Sequence, residues 1–357
     1  MAKYQVKVYS AAGEHLATFV GWERMAFTRK VNDVSEHAIE WCGSQREIAE
    51  MAGWFELDGQ VEVLRCDPDV GVDWYVEYEG LHRRQRIWND DKGWHFCSSG
   101  YSYMHLLARR IVAAYAETSG SDKAGPAETV MKAYVREQIG PDAGERSAPY
   151  FSVEANGGRG NYWSGTGMGK NLLNLLQEIA AVGGGDFDVV GTGHPGYEFR
   201  WYTGQRGTDR RDSVIFSLEL GNMASPVWEA AGGQANAVLV AGQGEGAERE
   251  RLWVEDEEAQ GLSPWNRIEV FRDARDVPLG DTEALTLRGQ ELLAQSKGVR
   301  SLRFDVQQTL GYRYGAHYFL GDLVTAQFMG VSVARKITAV TFQVERAETI
   351  SVEMSDV

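Results

Sequence analysis

The chain carries 357 residues, 43% of them hydrophobic: enough for two or three domains with real cores, and too apolar for global disorder. Its 51 acidic and 36 basic residues leave a net charge of −15. That balance excludes the basic surface nucleic-acid binding needs, and fits either plain solubility or a surface that must not stick to DNA.

Forty-one Gly, eleven Trp and fifteen Tyr against eight Pro point to a β-rich protein with many turns. Tyr4, Val6 and Val8 alternate with Lys3, Gln5 and Lys7, a half-buried strand with no apolar leader ahead of it. Further strands are expected at 17–20, 61–66 and 74–78, and a hairpin joins 81–88 to 94–96 across Asn89–Gly93. Between them, 36–52 reads as a short helix with Ile39, Ile48 and Met51 apolar. The short strands imply a first barrel or sandwich over residues 1–100. The period then changes. Met104, Leu107, Ala108, Ile111 and Tyr115 fall on one face of a helix over 102–117. Gly125-Pro126 opens a second helix, faced by Val130, Tyr134 and Ile139 and stopped by Gly140-Pro141. Residues 141–167 form a long Gly-rich connection, of a length usually functional or mobile. A third helix over 168–182 carries Leu172, Leu173, Leu175, Leu176 and Ile179 and breaks at Gly183–Gly185. Strands return at 187–190, 197–202, 213–220, 237–241 and 251–254. Asp281 is placed to cap a helical piece that Gly298 ends. Tyr312–Phe319 is an aromatic turn, and Gly321-Asp322 a tight turn flanked by the apolar Leu320, Leu323 and Val324. The closing strands are 302–307, 320–328, 334–344 and 349–354.

Little here carries chemistry. Cys42, Cys66 and Cys97 have no C-x-x-C spacing and read as reduced, buried thiols from a reducing compartment. The seven His are scattered, with no H-E-x-x-H and no Cys/His pair at metal spacing in the sequence. Gly242-Gln243-Gly244 follows a strand, as at a dinucleotide site. Its third Gly is wrongly spaced and Glu245, Glu248 and Glu250 would face a pyrophosphate, so a Gly-rich hairpin is expected. Gly165–Asn171 resembles a phosphate loop but has Ser164 and Asn171 where Gly and Ser or Thr are needed. Acidic pairs such as Asp209/Asp212 are expected by chance among 51 acids. Asp209-Arg210-Arg211-Asp212 is either an ion-pair cluster at a subunit edge or an idle turn. No run approaches ~18 apolar residues, so no membrane span is expected.

An ordered set of short pieces does resemble a known family. Phe27–Val34, Gly80–Arg83 and Leu106–Val112 (with Leu107, Arg109 and Arg110) come first. Asn171–Leu173, Gly207-Thr208-Asp209-Arg210 and Phe216–Met223 continue it. Asn236-Ala237-Val238 with Gly242, Gly244 and Arg249 or Arg251 follows, then Tyr314-Gly315 and Leu320-Gly321-Asp322-Leu323-Val324. Together they resemble the siphophage tail-hub proteins, also called baseplate hub or tail-associated proteins. His317-Tyr318 departs from the pattern, where an acidic or polar residue before the aromatic is more typical.

The resemblance implies a mainly β fold with α inserts, built on two antiparallel β-barrels like tail-tube subunits. On that reading residues 1–100 form the first barrel, 186–255 with 300–357 the second, and 101–185 and 256–299 are helical inserts. It implies a structural virion protein of the phage tail, made in the host cytoplasm, with no catalytic residues, cofactor or metal. The partners implied are its own copies in a homotrimer, a tail-tube or distal tail protein, the tape-measure protein and a tip or fibre protein. Neither a membrane span nor sequence-specific DNA contact belongs to that picture. The competing readings are a tail-associated cell-wall hydrolase and a host-glycan-binding tip module, the latter motivated by the eleven Trp.

Overall fold

The computed structural model describes residues 2–113, 121–309 and 311–356. The first seven strands are β1 (Lys3–Tyr9), β2 (His15–Phe19), β3 (Arg24–Lys30), β4 (Glu36–Gly43), β5 (Gln60–Asp67), β6 (Val72–Asp90) and β7 (Gly93–Ser102). They are antiparallel neighbours in the order β2-β1-β5-β6-β7-β4-β3. The β1 alternation buries Tyr4, Val6 and Val8, and the expected hairpin closes with Asp90 opposite Gly93. The helix expected over 36–52 is instead a strand and a helix. His37, Ile39 and Trp41 are buried at a period of two, and only then does α1 (Gln45–Ala52) begin. Its start is a capping box: Ser44 and Glu47 each accept from the other's backbone N–H. The expectation of three buried thiols also fails: Cys66 is buried, but Cys42 is exposed and Cys97 half-buried.

Two imidazoles are sealed in this half. His37 Nδ1 lies 3.1 Å from the Tyr78 hydroxyl and His82 Nδ1 2.8 Å from Ser98 Oγ. Burial lowers the His37 pKa to about 3, helped by neighbouring His82, and lowers that of His82 to about 4, helped by Arg83. His105 is lowered too, by burial and then Arg109. These groups take up protons more readily in the unfolded chain. Their contribution is therefore complete above pH ~6.5 and is lost as pH falls from there toward 4 and 3. His95, raised by its carboxylate neighbours against the pull of burial, slopes the other way. The expected net result is that stability to urea drops by about 2–4 kcal/mol between pH 7 and pH 5, before most carboxylates titrate. A flat or rising urea midpoint across that window contradicts it.

The middle of the chain holds α2 (His105–Ala108), β8 (Asp122–Pro126), α3 (Ala127–Gln138), β9 (Phe151–Val153), β10 (Tyr162–Thr166), α4 (Leu172–Gly183), β11 (Gly185–Gly193) and β12 (Gly196–Thr203). The helix expected over 102–117 shrinks to one turn; Ile111 bridges to Asn171 and residues 114–117 lie outside the described ones. α4 starts later than Met168 because Asn171 is its cap, accepting from the Asn174 amide. The long 141–167 connection is tied down: β9 runs parallel to β12 and β10 antiparallel to β8. A second core gathers Leu107, Met131, Tyr134, Leu172, Leu176, Phe199 and Trp201.

The last part holds β13 (Ile215–Ser217), β14 (Met223–Ala231), β15 (Ala237–Ala241), β16 (Arg251–Glu255), α5 (Glu257–Gly261), β17 (Glu269–Asp273), α6 (Thr282–Gln295), β18 (Val299–Val306), β19 (Leu323–Phe328), β20 (Val331–Val344) and β21 (Glu348–Ser355). The strand expected over 213–220 is only three residues, because Leu218–Gly221 turns the chain. β16-β15-β17 form a small sheet under α6, with Val238, Val240 and Leu285 in a third core. Asp281 caps α6 through the Ala284 amide.

β20 joins the two ends of the chain. One edge pairs with β21; the other pairs with β19 over Val331–Lys336 and with β3 over Ala339–Val344. A single thirteen-stranded sheet results, running β14-β18-β21-β20-β3-β4-β7-β6-β5-β1-β2 with β19 and β13 branching from β20. Among the described residues the ladder does not close on itself. One core serves it throughout, from Val6, Phe27 and Phe96 to Phe216, Tyr314, Phe342 and Val352. The fold is mainly β with helical inserts. No helix among the described residues is long and apolar enough to cross a membrane.

Candidate assembly site

The aromatic turn of residues 312–319 is not a surface feature. Tyr314 and Tyr318 are fully buried, edge to face at 5.4 Å, with Phe342 of β20 at 5.1 Å from Tyr314 and Phe216 of β13 at 5.1 Å from Tyr318. Gly315 follows at φ +84°; a Cβ there would stand 2.5 Å from the Tyr75 hydroxyl oxygen and 2.9 Å from Arg65 Nη1, so only glycine fits. The Tyr314 hydroxyl donates to Glu77 Oε1 at 3.1 Å, and its carbonyl accepts from Arg65 Nη1 at 2.9 Å. Burial, then the Glu77 charge, pushes the Tyr314 phenol up, so it stays a donor.

Arg65 and Glu77 are the centre of a buried ionic network that ties β5 and β6 to the C-terminal strands. Arg65 is wholly buried. It donates to Glu348 Oε1 at 2.9 Å and Oε2 at 3.3 Å, to the Tyr4 hydroxyl at 3.1 Å and to the Tyr75 hydroxyl at 3.3 Å. Glu77 accepts from Arg29 at 2.9 Å and from Tyr75 at 2.6 Å. Arg313 adds an ion pair to Asp67 at 3.2 Å. Burial alone would lower the Arg65 pKa, but Glu348, Tyr4 and Tyr75 together outweigh it and raise it, so the guanidinium is held charged. Sequence reasoning missed this network. Its one signal is Arg65 at the position where the Val61, Val63 alternation calls for an inward-facing apolar residue.

Two of the sequence-predicted pieces meet. Asp322, buried, accepts from the Thr208 amide at 2.6 Å, from Arg210 Nε at 2.8 Å and from the Phe319 amide at 2.8 Å. The backbones zip as well: Leu323 N–H donates to the Thr208 carbonyl at 3.0 Å and Arg210 N–H to the Leu323 carbonyl at 2.8 Å. Gly321, at φ +89°, packs against Gly207 and donates to the Ile337 carbonyl at 2.9 Å. Leu320 and Val324 lie in the main core. The Asp209 backbone is the bridge partner of Leu323 in this clasp, while its exposed side chain pairs with Arg211 of its own turn.

The other predicted residues stand elsewhere. Leu107 is in the second core, and Arg109 donates to Asp58 at 2.8 Å and to His105 at 3.1 Å. The Arg110 carbonyl accepts from the Leu172 amide at 2.8 Å; burial and the nearby Arg146 lower its pKa. Asn236, Gly242 and Gly244 belong to the small sheet. Asn236 Oδ1 accepts from the Ile268 amide at 2.8 Å, and Arg249 donates to the Gly242 carbonyl at 2.8 Å. Gly244, at φ +110°, lets the hairpin turn close against Arg249, as expected of a turn rather than a nucleotide loop.

With this geometry in place, comparison with known proteins is informative. Residues 5–355 match the model of the Siphovirus ReqiPepy6 Gp37-like protein family. The chain belongs to this family. The tail protein family read from the ordered motifs is thus borne out, and the chain is a phage tail component. No curated relative matches the sequence. Among solved structures, the tail protein resembles the 43 kDa tail protein of prophage MuSo2 from Shewanella oneidensis, with TM-score 0.58 and 13% identity over 100% of this chain and 97% of that one. It is similar to the tail protein of Neisseria meningitidis MC58, with TM-score 0.59 and 13% identity over 99% and 96%. A chain of the Francisella PdpA-VgrG complex matches with TM-score 0.54 and 8% identity, over 99% of this chain and 57% of that one. At these identities the likeness is one of fold.

Proposed function

We propose that this chain is the hub at the distal end of a siphophage tail, a non-enzymatic virion protein that forms a homotrimeric ring around the DNA channel. The observation that carries this reading is the end-to-end fold match to prophage tail proteins together with the family match over residues 5–355. Two barrel-like units, residues 1–100 and 186–255 with 300–357, are part of it, with inserts at 101–185 and 256–299. Two such units in each of three chains present six tube-like positions, which joins a six-fold tube to a three-fold tip. The net charge of −15 supports a lumen to which DNA does not adhere. A tube or distal tail protein, the tape measure and a tip or fibre protein are the partners of this reading. Its Leu107, Arg109, Arg110, Asn236, Gly242 and Gly244 act as local scaffolding, and the Tyr314–Val324 region holds the halves in the shape that assembles.

The test is the native mass and negative-stain image of purified protein. Three chains per particle and a ring with a central hole are expected. A monomer at high concentration, or a compact particle with no hole, defeats the proposal. Clearing of peptidoglycan in a zymogram defeats its non-enzymatic part.

A further inference from the structure

The end of the first sheet carries a side-chain cluster with no part in the contacts above. Cys42 on β4 and His95 on β7 are cross-strand partners, and Trp88 on β6 faces His95 from the other side. Glu23 is brought in from the turn before β3, its amide donating to the Glu40 carbonyl at 2.8 Å. Cys42 Sγ, a His95 ring nitrogen and a Glu23 carboxylate oxygen all lie within 4.8 Å of one another.

His95 is only 2% exposed, and its ring is held on two sides. Trp88 stacks on it at 4.8 Å and 4°, and Nε2 stands 2.9 Å from Asp90 Oδ1. A carboxylate only accepts, so that contact puts a proton on Nε2, and Nδ1 faces Glu23 Oε2 at 3.1 Å and Glu40 Oε1 at 3.4 Å. Neither His95 Nδ1 nor Glu23 Oε2 has a hydrogen-bond partner among the described residues. Two carboxylates facing one imidazole nitrogen call for a cation between them, either a proton that makes His95 an imidazolium or a metal ion bound to the Nδ1 lone pair. Ligands ~2.0–2.1 Å from a tetrahedral ion stand about 3.3 Å apart, which is the spacing of Nδ1 from the two carboxylates; Cys42 Sγ stands further out, 3.9 Å from Nε2. Asp90 then matches the outer carboxylate of a carboxylate–histidine–metal arrangement. Other polar contacts are Lys92 Nζ, 3.4 Å from Glu23 Oε1, the Lys92 carbonyl, 3.6 Å from Cys42 Sγ, the Lys92 amide, which donates to Asp90 Oδ1 at 2.9 Å, and His95 Nε2, 3.9 Å from Cys42 Sγ. Cys42 is exposed, so an ion has a way in.

We propose that Glu23, Glu40, Cys42 and His95 bind a divalent ion of the zinc class, with Asp90 as the positioning residue that fixes the His95 tautomer. The ion staples the turn around Glu23 to β4 and β7.

Purified protein is titrated with zinc against a chromophoric chelator, and separately with cobalt(II). One ion per chain is expected, with a thiolate-to-cobalt charge-transfer band that Cys42→Ser removes. Asp90→Asn weakens zinc by about 10–100-fold, and His95→Gln by at least as much. Cys42→Ser alters an exposed side chain, so a folding defect does not obscure the reading, and unchanged far-ultraviolet circular dichroism checks this. Loss of zinc from the wild type to the chelator without retention overturns the site, as does equal zinc affinity in the wild type and in a Glu23→Gln, Cys42→Ser double variant.

Discussion

Arg65→Ala should destabilise the tail protein by about 3–5 kcal/mol, because it leaves the Glu348 carboxylate without its countercharge, with only the Tyr4 hydroxyl among the described residues still donating to it, and the Tyr314 carbonyl without its donor. Glu348 lies 283 residues beyond Arg65, so the loss falls on the contact between the early and late strands. Urea denaturation of the folded protein measures it. A companion double variant, Arg65→Met with Glu348→Leu, removes both charges and fills the space with apolar atoms; it should recover most of the loss, since a buried ion pair contributes little over well-packed apolar side chains. An Arg65→Ala loss under ~1 kcal/mol would show that water reaches Glu348 and that the network is not sealed.

The second large effect is expected at Asp322. Asp322→Ala strips the acceptor from two backbone amides, Thr208 and Phe319, and from Arg210. About 3 kcal/mol is expected, with most of it in the two amides, because the buried Asp322 is their acceptor while the partly exposed Arg210 can turn to solvent. Arg210→Ala should therefore cost about 1 kcal/mol, and the double variant little more than Asp322→Ala alone. The same variants read out assembly. Asp322→Ala, and Gly321→Val at φ +89° against Gly207, should lower the yield of rings more than they lower the solubility of the chain. Equal costs for Arg210→Ala and Asp322→Ala would mean the ion pair, rather than the amide contacts, holds the clasp. Normal ring yield from Gly321→Val would remove the turn from any role in assembly.

Strand positions were legible where alternation buries one face, as in Tyr4, Val6 and Val8, and where a turn is unavoidable, as at Asn89–Gly93. The break at Ser44 was not. An apolar residue at 39 and another at 48 satisfy a helix as easily as a strand followed by a helix, and only the Ser44/Glu47 pair distinguishes them. The candidate site divides the same way. Gly315, Gly321 and Asp322 stand out because turns need particular residues. Their partners Arg65, Glu77 and Thr208 do not, because nothing local tells a strand arginine that its carboxylate lies 283 residues further on. The Glu23–Cys42–His95 cluster escaped for a related reason: metal spacing in a β-sheet is set by register between strands rather than by steps along the chain.

The position of β20 has a consequence for synthesis. β3 is made early, yet one of its edges waits for Ala339–Val344, and Arg65 waits for Glu348. On the ribosome the first seven strands therefore carry an open β3 edge until β20 emerges, and among the described residues Arg65 has only Asp67, Tyr4 and Tyr75 as partners until the Tyr314 carbonyl and Glu348 arrive. Completion of the main sheet thus waits on contacts of high sequence separation, which form late.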